Sequence, residues 1–169
     1  MYGTKALAAL RVTLGVGFLY AGLEKIFDFA GTGAFTAAGF LKFGTIGALP
    51  GVDPKTIGNP THALWVNLAG YEQLMQVLNW LVVTGETAIG IALILGIAVR
   101  ISGILGAALM GLITVAAWSF GFGPINETVL YAVVALYLAA VNAGRVYGVD
   151  GWLERTEFVT RTPALHYLV

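Results

Sequence analysis

Four long apolar runs, separated by stretches rich in glycine, proline and polar residues, set the pattern of this chain. The first covers residues 5–27 and, at ~1.5 Å per helical residue, is long enough to cross a hydrocarbon layer of ~30 Å. Read at helical period, it places Arg11, Gly15, Phe18, Gly22 and Lys25 on one face. Two charges and two glycines there predict a face turned toward other helices and away from lipid.

The second run is assigned to residues 74–99, starting near Tyr71 or Gln76 and ending at Arg100. Glu72, Asn79, Glu86 and Leu93 recur on one line, with Met75 and Gly90 close to it. Another face carries Ala88, Ala92 and Gly96 at four-residue spacing, a pattern that permits close helix approach. The third run, 101–120, has a small-residue face of Gly103, Ala107 and Gly111, continued by Thr114 and Trp118, and ends at the turn Gly121–Pro124. The fourth, 127–143, has Asn126 as its predicted N-cap and a glycine cap with a terminal cation at Asn142-Ala143-Gly144-Arg145.

Glycines and prolines break the pattern between residues 28 and 70. The spacing there predicts a short interfacial helix over Phe35–Phe43, with Phe35, Phe40, Leu41 and Phe43 against the membrane and Lys42 at the surface. Pro50–Pro54 reads as turns, and a second amphipathic piece is expected over Pro60–Gly70 with Trp65 at headgroup depth. The tail from Tyr147 to Val169 reads as aqueous or interfacial, with Trp152, Glu154, Arg155, Glu157 and Arg161 suiting a surface-lying segment.

Composition supports a membrane setting. Of the 169 residues 58% are hydrophobic and 11% charged, with a mean hydropathy of +0.83; a soluble domain would be about a quarter charged. The fold class expected is therefore an all-α integral membrane protein, a four-transmembrane-helix bundle with an extended extracytoplasmic segment between helices 1 and 2. The whole chain forms one membrane domain, and the first run is read as a retained span rather than a cleaved signal. Lys5, Arg11, Arg100, Arg145, Arg155 and Arg161 fall on one side of such a bundle, against Lys25, Lys42 and Lys55 on the other. That bias predicts both termini in the cytoplasm and residues 28–70 outside, in a multi-pass protein of the cell membrane.

A net charge of zero gives no electrostatic case for nucleic acid. The absence of cysteine excludes disulfides, thiolate catalysis and iron–sulfur ligation within the chain. His62 and His166 are expected on opposite sides of the membrane, so neither a bis-histidine haem nor a metal site is predicted. No phosphate loop or dinucleotide fingerprint is present, and the sequon at Asn126 lies too close to a helix start to favour glycosylation.

Glu86 is the residue that demands a reason, because a carboxylate at membrane depth costs roughly 2.5–3.5 kcal/mol by insertion measurements. It is either a proton-handling group or a structural carboxylate, protonated or hydrogen-bonded to Arg11 or Lys25. Counted from Arg100 it sits ~21 Å from the cytoplasmic end. On that reckoning Arg11 and Lys25, near opposite edges, are not level with it. Arg11 can also snorkel without a partner, and Lys25 with Glu24 can be an end-of-span pair. Asn79, Asn142 and Thr84 suit interhelical hydrogen bonds, and Trp65, Trp80, Trp118 and Trp152 suit an aromatic belt.

Taken together, Leu10-Arg11, Gly15, Gly22-Leu23-Glu24-Lys25, Glu86, Ile89–Gly96 and Arg100 form a pattern that resembles the DoxX/DoxD family of small four-span membrane proteins. Pro124-Ile125-Asn126 and Asn142–Arg145 are compatible with it. The resemblance implies quinone redox chemistry: DoxD is the large subunit of a thiosulfate:quinone oxidoreductase that works with a small partner subunit. No motif in this chain identifies a thiosulfate site. The expectation is thus a membrane subunit of a quinone-linked oxidoreductase, with Glu86 as the catalytic proton group. Arg11, Lys25, Phe18, Asn79 and Trp80 would surround the quinone. The alternative is a non-catalytic accessory subunit of a respiratory or other membrane complex; a transporter ranks last, without repeats or broken helices. Expected partners are membrane lipids, other membrane subunits, a small redox subunit, or further copies of the chain.

Overall fold

Antiparallel pairing of long apolar helices sets the architecture. The computed structural model describes residues 2–28, 31, 33–47, 58–119, 123 and 125–156. The main helices are α1 (Tyr2–Phe27), α4 (Glu72–Leu95), α5 (Val99–Ala117) and α6 (Glu127–Ala140). Between α1 and α4 lie a single turn, α2 (Ala37–Gly39), continuing into a wider π-type turn over Phe40–Gly44, and the short α3 (His62–Leu68). A 3₁₀ turn at Ala143–Arg145 and α7 (Asp150–Leu153) follow α6. No strand occurs among the described residues.

Small residues decide how close the helices come. A Cβ on Gly15 would lie 2.9 Å from the Ile94 backbone nitrogen, one on Gly90 2.7 Å from Leu19 Cα, and one on Gly22 2.8 Å from the Thr87 nitrogen. No side chain fits at Gly15, Gly22 or Gly90, so at these positions the α1 and α4 backbones approach closely. On the other side, a Cβ on Gly103 would sit 2.7 Å from the Ala135 carbonyl oxygen, which draws α5 onto α6. The bundle is thus two tight antiparallel pairs, α1/α4 and α5/α6, joined by lighter contacts between α4 and α5 and between α1 and α6. Leu14, Phe18, Ile89, Leu93, Val99, Met110 and Leu138 fill the centre.

The helix ends follow from local chemistry. α4 stops at Gly96, whose φ of 71° is left-handed and whose N–H turns back to the Ala92 carbonyl. Asn126 caps α6 as expected, its Oδ1 accepting from the Val129 N–H at 3.2 Å. The start of α5 lacks a local cap; the carboxylate of Asp150, far along the chain, accepts from the Ala98 and Val99 N–H groups at 2.7 and 3.0 Å. The expected boundaries shift accordingly. The second run breaks at Gly96 and not at Arg100, so Arg100 belongs to the first turn of α5. The third helix ends at Ala117 and the fourth at Ala140. The left-handed residue after α6 is Asn142, with φ 46°, in place of the anticipated Gly144.

The faces of α1 are as the periodicity predicts: Arg11, Gly15, Phe18 and Gly22 are buried. On α4 the buried line is Met75, Glu86, Ile89, Gly90 and Leu93, while Glu72 at the helix start is exposed. The Ala88–Ala92–Gly96 face does not join two long helices, since Ala88 is exposed; the seam instead uses Gly90, Thr87 and Ile94. On α5, Gly103 and Ala107 are buried as expected, while Gly111 has open space around it.

Of the surface, much is apolar: Val16, Trp80, Leu112 and Val133 are among the exposed large side chains. Three helices, α1, α4 and α5, are long and apolar enough to cross a membrane, and α6 is a shorter apolar helix of 14 residues.

α4 outreaches α1 at the Lys25 end, and the α2–α3 region covers the excess. There Ala37, Leu41, Ala69 and Met75 form a small second core. The Ala37 N–H donates to Asn79 Oδ1 at 2.5 Å, and Asn59 donates to the Ala116 carbonyl at 2.6 Å. The expected amphipathic pieces exist, but their faces differ from the forecast. Leu41 is buried and Phe35 and Phe40 turn inward, leaving Phe43 as the exposed ring. The tail also differs: its first part folds back, with the Val149 and Asp150 N–H groups donating to Leu95 and Gly96 carbonyls. Turns anticipated at Pro50–Pro54 and Gly121–Pro124, and the positions of Arg161 and His166, include or lie among residues outside the described set.

Candidate functional site

Register along the α1/α4 seam brings Lys25 and Glu86 together. Gly22 faces Thr87, so one helical turn later Lys25 reaches across to Glu86, and Nζ lies 2.8 Å from Oε2. The Glu86 side chain is 3% exposed and that of Lys25 18%, so the ammonium is the half of the pair that reaches outward. Lys25 Nζ also donates to the Ala21 carbonyl at 3.2 Å and stands 5.3 Å from the centre of the Phe35 ring, within cation–π range.

The expectation that Lys25 is not level with Glu86 is therefore corrected. It rested on taking the Lys25 end of α1 as the edge of the bundle. α4 runs on past the end of α1 there, so Lys25 lies beside the middle of α4, and the glycine seam fixes that offset.

Two clefts meet at Lys25, one in each of the lighter seams between the helix pairs, and Glu86 borders one of them. The first, of about 300 Å³, lies beneath the α2–α3 cover and is bounded by Lys25, Glu86, Phe35, Phe40, Leu41, Trp65, Leu68, Leu78, Val82, Leu109 and Ile113 among others. Apart from the ion pair and the Trp65 indole, whose Nε1 donates to Thr61 Oγ1 at 3.0 Å, these walls are hydrocarbon. The second, of about 410 Å³, lies between α1 and α6 and is bounded by Thr13, Leu14, Gly17, Phe18, Ala21, Lys25, Met110, Ile113, Glu127, Thr128 and Tyr131 among others. Lys25 and Ile113 border both.

The other predicted residues separate. Phe18 is buried and borders the α1/α6 cleft, its ring close to Gly106. Asn79 shares the line of Glu86 but lies about 10 Å along the helix, where it holds the start of α2. Trp80 is 73% exposed and turned away from both clefts. At about 100° per residue it falls roughly 120° around α4 from Glu86, so one face cannot present both.

Arg11 lies at the opposite end of α1 and does not snorkel; it is 1% exposed. Its guanidinium donates to the carbonyls of Ala143, Val146 and Tyr147 at 2.8, 3.2 and 3.2 Å. Gly96, Gly144 and Gly148 make room around it and around Asp150; a Cβ on Gly96 would come within 2.8 Å of Arg11 Cζ. This node ties α1 to the segment that follows α6 and to the α4–α5 turn, far from Glu86. Arg145 pairs with Glu154 nearby.

Sequence reading missed Phe35 and Trp65 as cleft walls, Asp150 as a cap and Glu127 as a cleft residue. Each acquires its role from a partner distant in sequence, and no local spacing signals that. His62 Nδ1 lies 2.8 Å from Thr45 Oγ1, within the α2–α3 cover.

The family model described as DoxX matches residues 6–121, which include α1, the covering segment, α4 and α5. Comparison with curated proteins and with solved structures returns no match.

Proposed function

The chain belongs to the DoxX family of membrane proteins, and on that premise we propose that it is a quinone-binding membrane subunit of an oxidoreductase. In this reading α6 is the fourth span, both termini share the cytoplasmic side, and the quinone ring occupies the cleft beneath α2 and α3. One observation carries the proposal: a buried lysine–glutamate pair forms the polar part of an otherwise hydrocarbon cleft. Pockets for small molecules combine apolar walls with few convergent polar groups, which matches this arrangement. A lipid-soluble ring with a carbonyl oxygen is the ligand chemistry that both parts satisfy.

A bound quinone would supply the two-electron chemistry. The residues supply the rest. Phe35 and Trp65 offer flat faces for a ring, and the Lys25 ammonium offers a donor to a carbonyl oxygen. Glu86, a carboxylate 2.8 Å from that ammonium, orients it and holds its positive charge in place, so that any proton the ammonium gives up is regained from water. Apolar walls keep bulk water from competing for these bonds.

Trp65 makes the proposal measurable, since a quinone against the indole quenches its fluorescence. Titrating a short-chain quinone into the protein in nanodiscs should give saturable quenching that Trp65→Phe largely removes. Lys25→Met should weaken binding by roughly tenfold, about 1.4 kcal/mol for a lost charged hydrogen bond. An unchanged affinity in Lys25→Met, or no saturable quenching in the native chain, would sink the assignment.

The accessory-subunit reading has its own support. Gly85 has open space around it and Ala88 is exposed, so α4 presents small residues outward, as a surface for a partner helix would.

A further inference from the structure

The two clefts differ in chemistry at their common wall. Lys25 faces both, yet beyond the ion pair the α2-side cleft is almost wholly hydrocarbon. The α1/α6 cleft adds Glu127, Thr128, Tyr131 and Thr13 to Lys25. Glu127, Thr128 and Tyr131 belong to the first turns of α6, so these groups gather at the Lys25 end of the cleft, while Thr13 is the polar side chain among its walls toward Leu10 and Leu14. Glu127 is exposed, Lys25 partly exposed and Glu86 buried. Exposure thus falls in sequence from Glu127 at the surface, through Lys25, to the inner carboxylate of Glu86.

We propose that the polar end of the α1/α6 cleft is a water-filled access path, entered past Glu127, through which protons reach the Lys25–Glu86 pair. Water is held in a cavity when it is roomy and offers several polar partners. About 410 Å³ bordered by the Lys25 ammonium, the Glu127 carboxylate, the Tyr131 phenol and the Thr13 hydroxyl meets both conditions, the Thr128 hydroxyl being bonded to Asn126 and Thr114. A ligand in the α2-side cleft would then meet protons through Lys25 without water entering its own apolar chamber. The carboxylate of Glu127 at the mouth draws cations and repels anions. Glu127 acts by shaping the approach and does not touch Glu86, so it is a positioning residue. The inference rests on reading Lys25–Glu86 as the reactive pair, but its test needs no quinone.

The chain contains no cysteine, so a single introduced thiol is an unambiguous reporter. Ala21→Cys puts a thiol on the cleft wall one turn from Lys25, and Val16→Cys puts one on the exposed outer face of α1. Both are treated in nanodiscs with a small cationic thiosulfonate, a neutral hydrophilic one and a lipid-soluble maleimide. A thiol reacts as its thiolate, which forms in water, so Ala21→Cys should react on the order of tenfold faster than Val16→Cys with both hydrophilic reagents. Adding Glu127→Gln should lower the cationic-to-neutral rate ratio roughly threefold, and Glu127→Asp should preserve it.

Should Ala21→Cys fail to fold, Tyr131→Cys reports from the opposite wall. Labelling of the cleft thiol by the lipid-soluble maleimide alone would mean that a lipid chain fills the cleft and would overturn the proposal. A ratio indifferent to Glu127→Gln would overturn its role at the mouth. Loss of quinone binding in the fluorescence titration, with the accessible thiol intact, would count against the ligand and not against the water path.

Discussion

Removing one partner of the Lys25–Glu86 pair leaves a charge inside an apolar bundle, and single truncations of buried pairs cost about 3–5 kcal/mol. Glu86→Leu alone should therefore lower the unfolding midpoint sharply. The double variant Lys25→Met with Glu86→Leu should recover most of the loss, because nothing charged is then stranded. Detergent-titrated unfolding followed by circular dichroism checks both. Failure of the double variant to recover would show that the pair also holds the fold in a way its apolar replacement cannot.

Arg11 invites the same reasoning at the other end of α1. Its three carbonyl acceptors belong to the segment that ends α6. Arg11→Met should strand them, at about 1–3 kcal/mol per buried unsatisfied group before relaxation. Arg11→Lys should restore only part of the stability, since one ammonium cannot reproduce a planar fork. A lysine variant as stable as the native chain would argue that charge alone matters there.

At the scale of elements, the glycine seam is the determinant. Gly90→Ala would drive a methyl group into the Leu19 backbone, and such overpacking typically costs 1–3 kcal/mol. Gly17→Ala, with open space at its Cβ, should be neutral or slightly stabilising through helix propensity. Comparing their unfolding midpoints separates packing from propensity, and equal effects would contradict the seam as described. Because the same seam aligns Lys25 with Glu86, Gly90→Ala should also weaken quinone quenching of Trp65, whereas Gly17→Ala should not.

On the whole-molecule scale, the two ends of the bundle do different work. The Lys25 end is loose, with two clefts and a covering segment; the Arg11 end is knotted by Arg11, Asp150 and three close-packed glycines. Asp150→Ala removes the cap from α5 at an expected cost of about 0.5–2 kcal/mol. Fraying should appear as faster hydrogen exchange at Ala98–Ser102 while exchange near Glu86 stays as it was. Faster exchange at both ends would mean that the molecule opens as one unit.

The run of apolar residues determined by itself that this is a helical membrane chain, and its period fixed which face of α1 turns inward. Those features are local: hydrophobic length and a repeat near 3.6 residues follow from adjacent residues alone. The sequence also singled out Glu86, because an intramembrane acid is conspicuous wherever it falls. Tertiary structure alone decided what Glu86 meets. Axial offset between two antiparallel helices depends on where their small residues interlock, and one residue's shift moves a partner by ~1.5 Å along the axis and ~100° around it. That offset gave Lys25 to Glu86 and set Arg11 beside the α4–α5 turn, whereas Trp80 is turned away by helical period alone. Contacts between residues more than a hundred positions apart, such as Arg11 with Ala143, carry no spacing signature for a sequence reader to find.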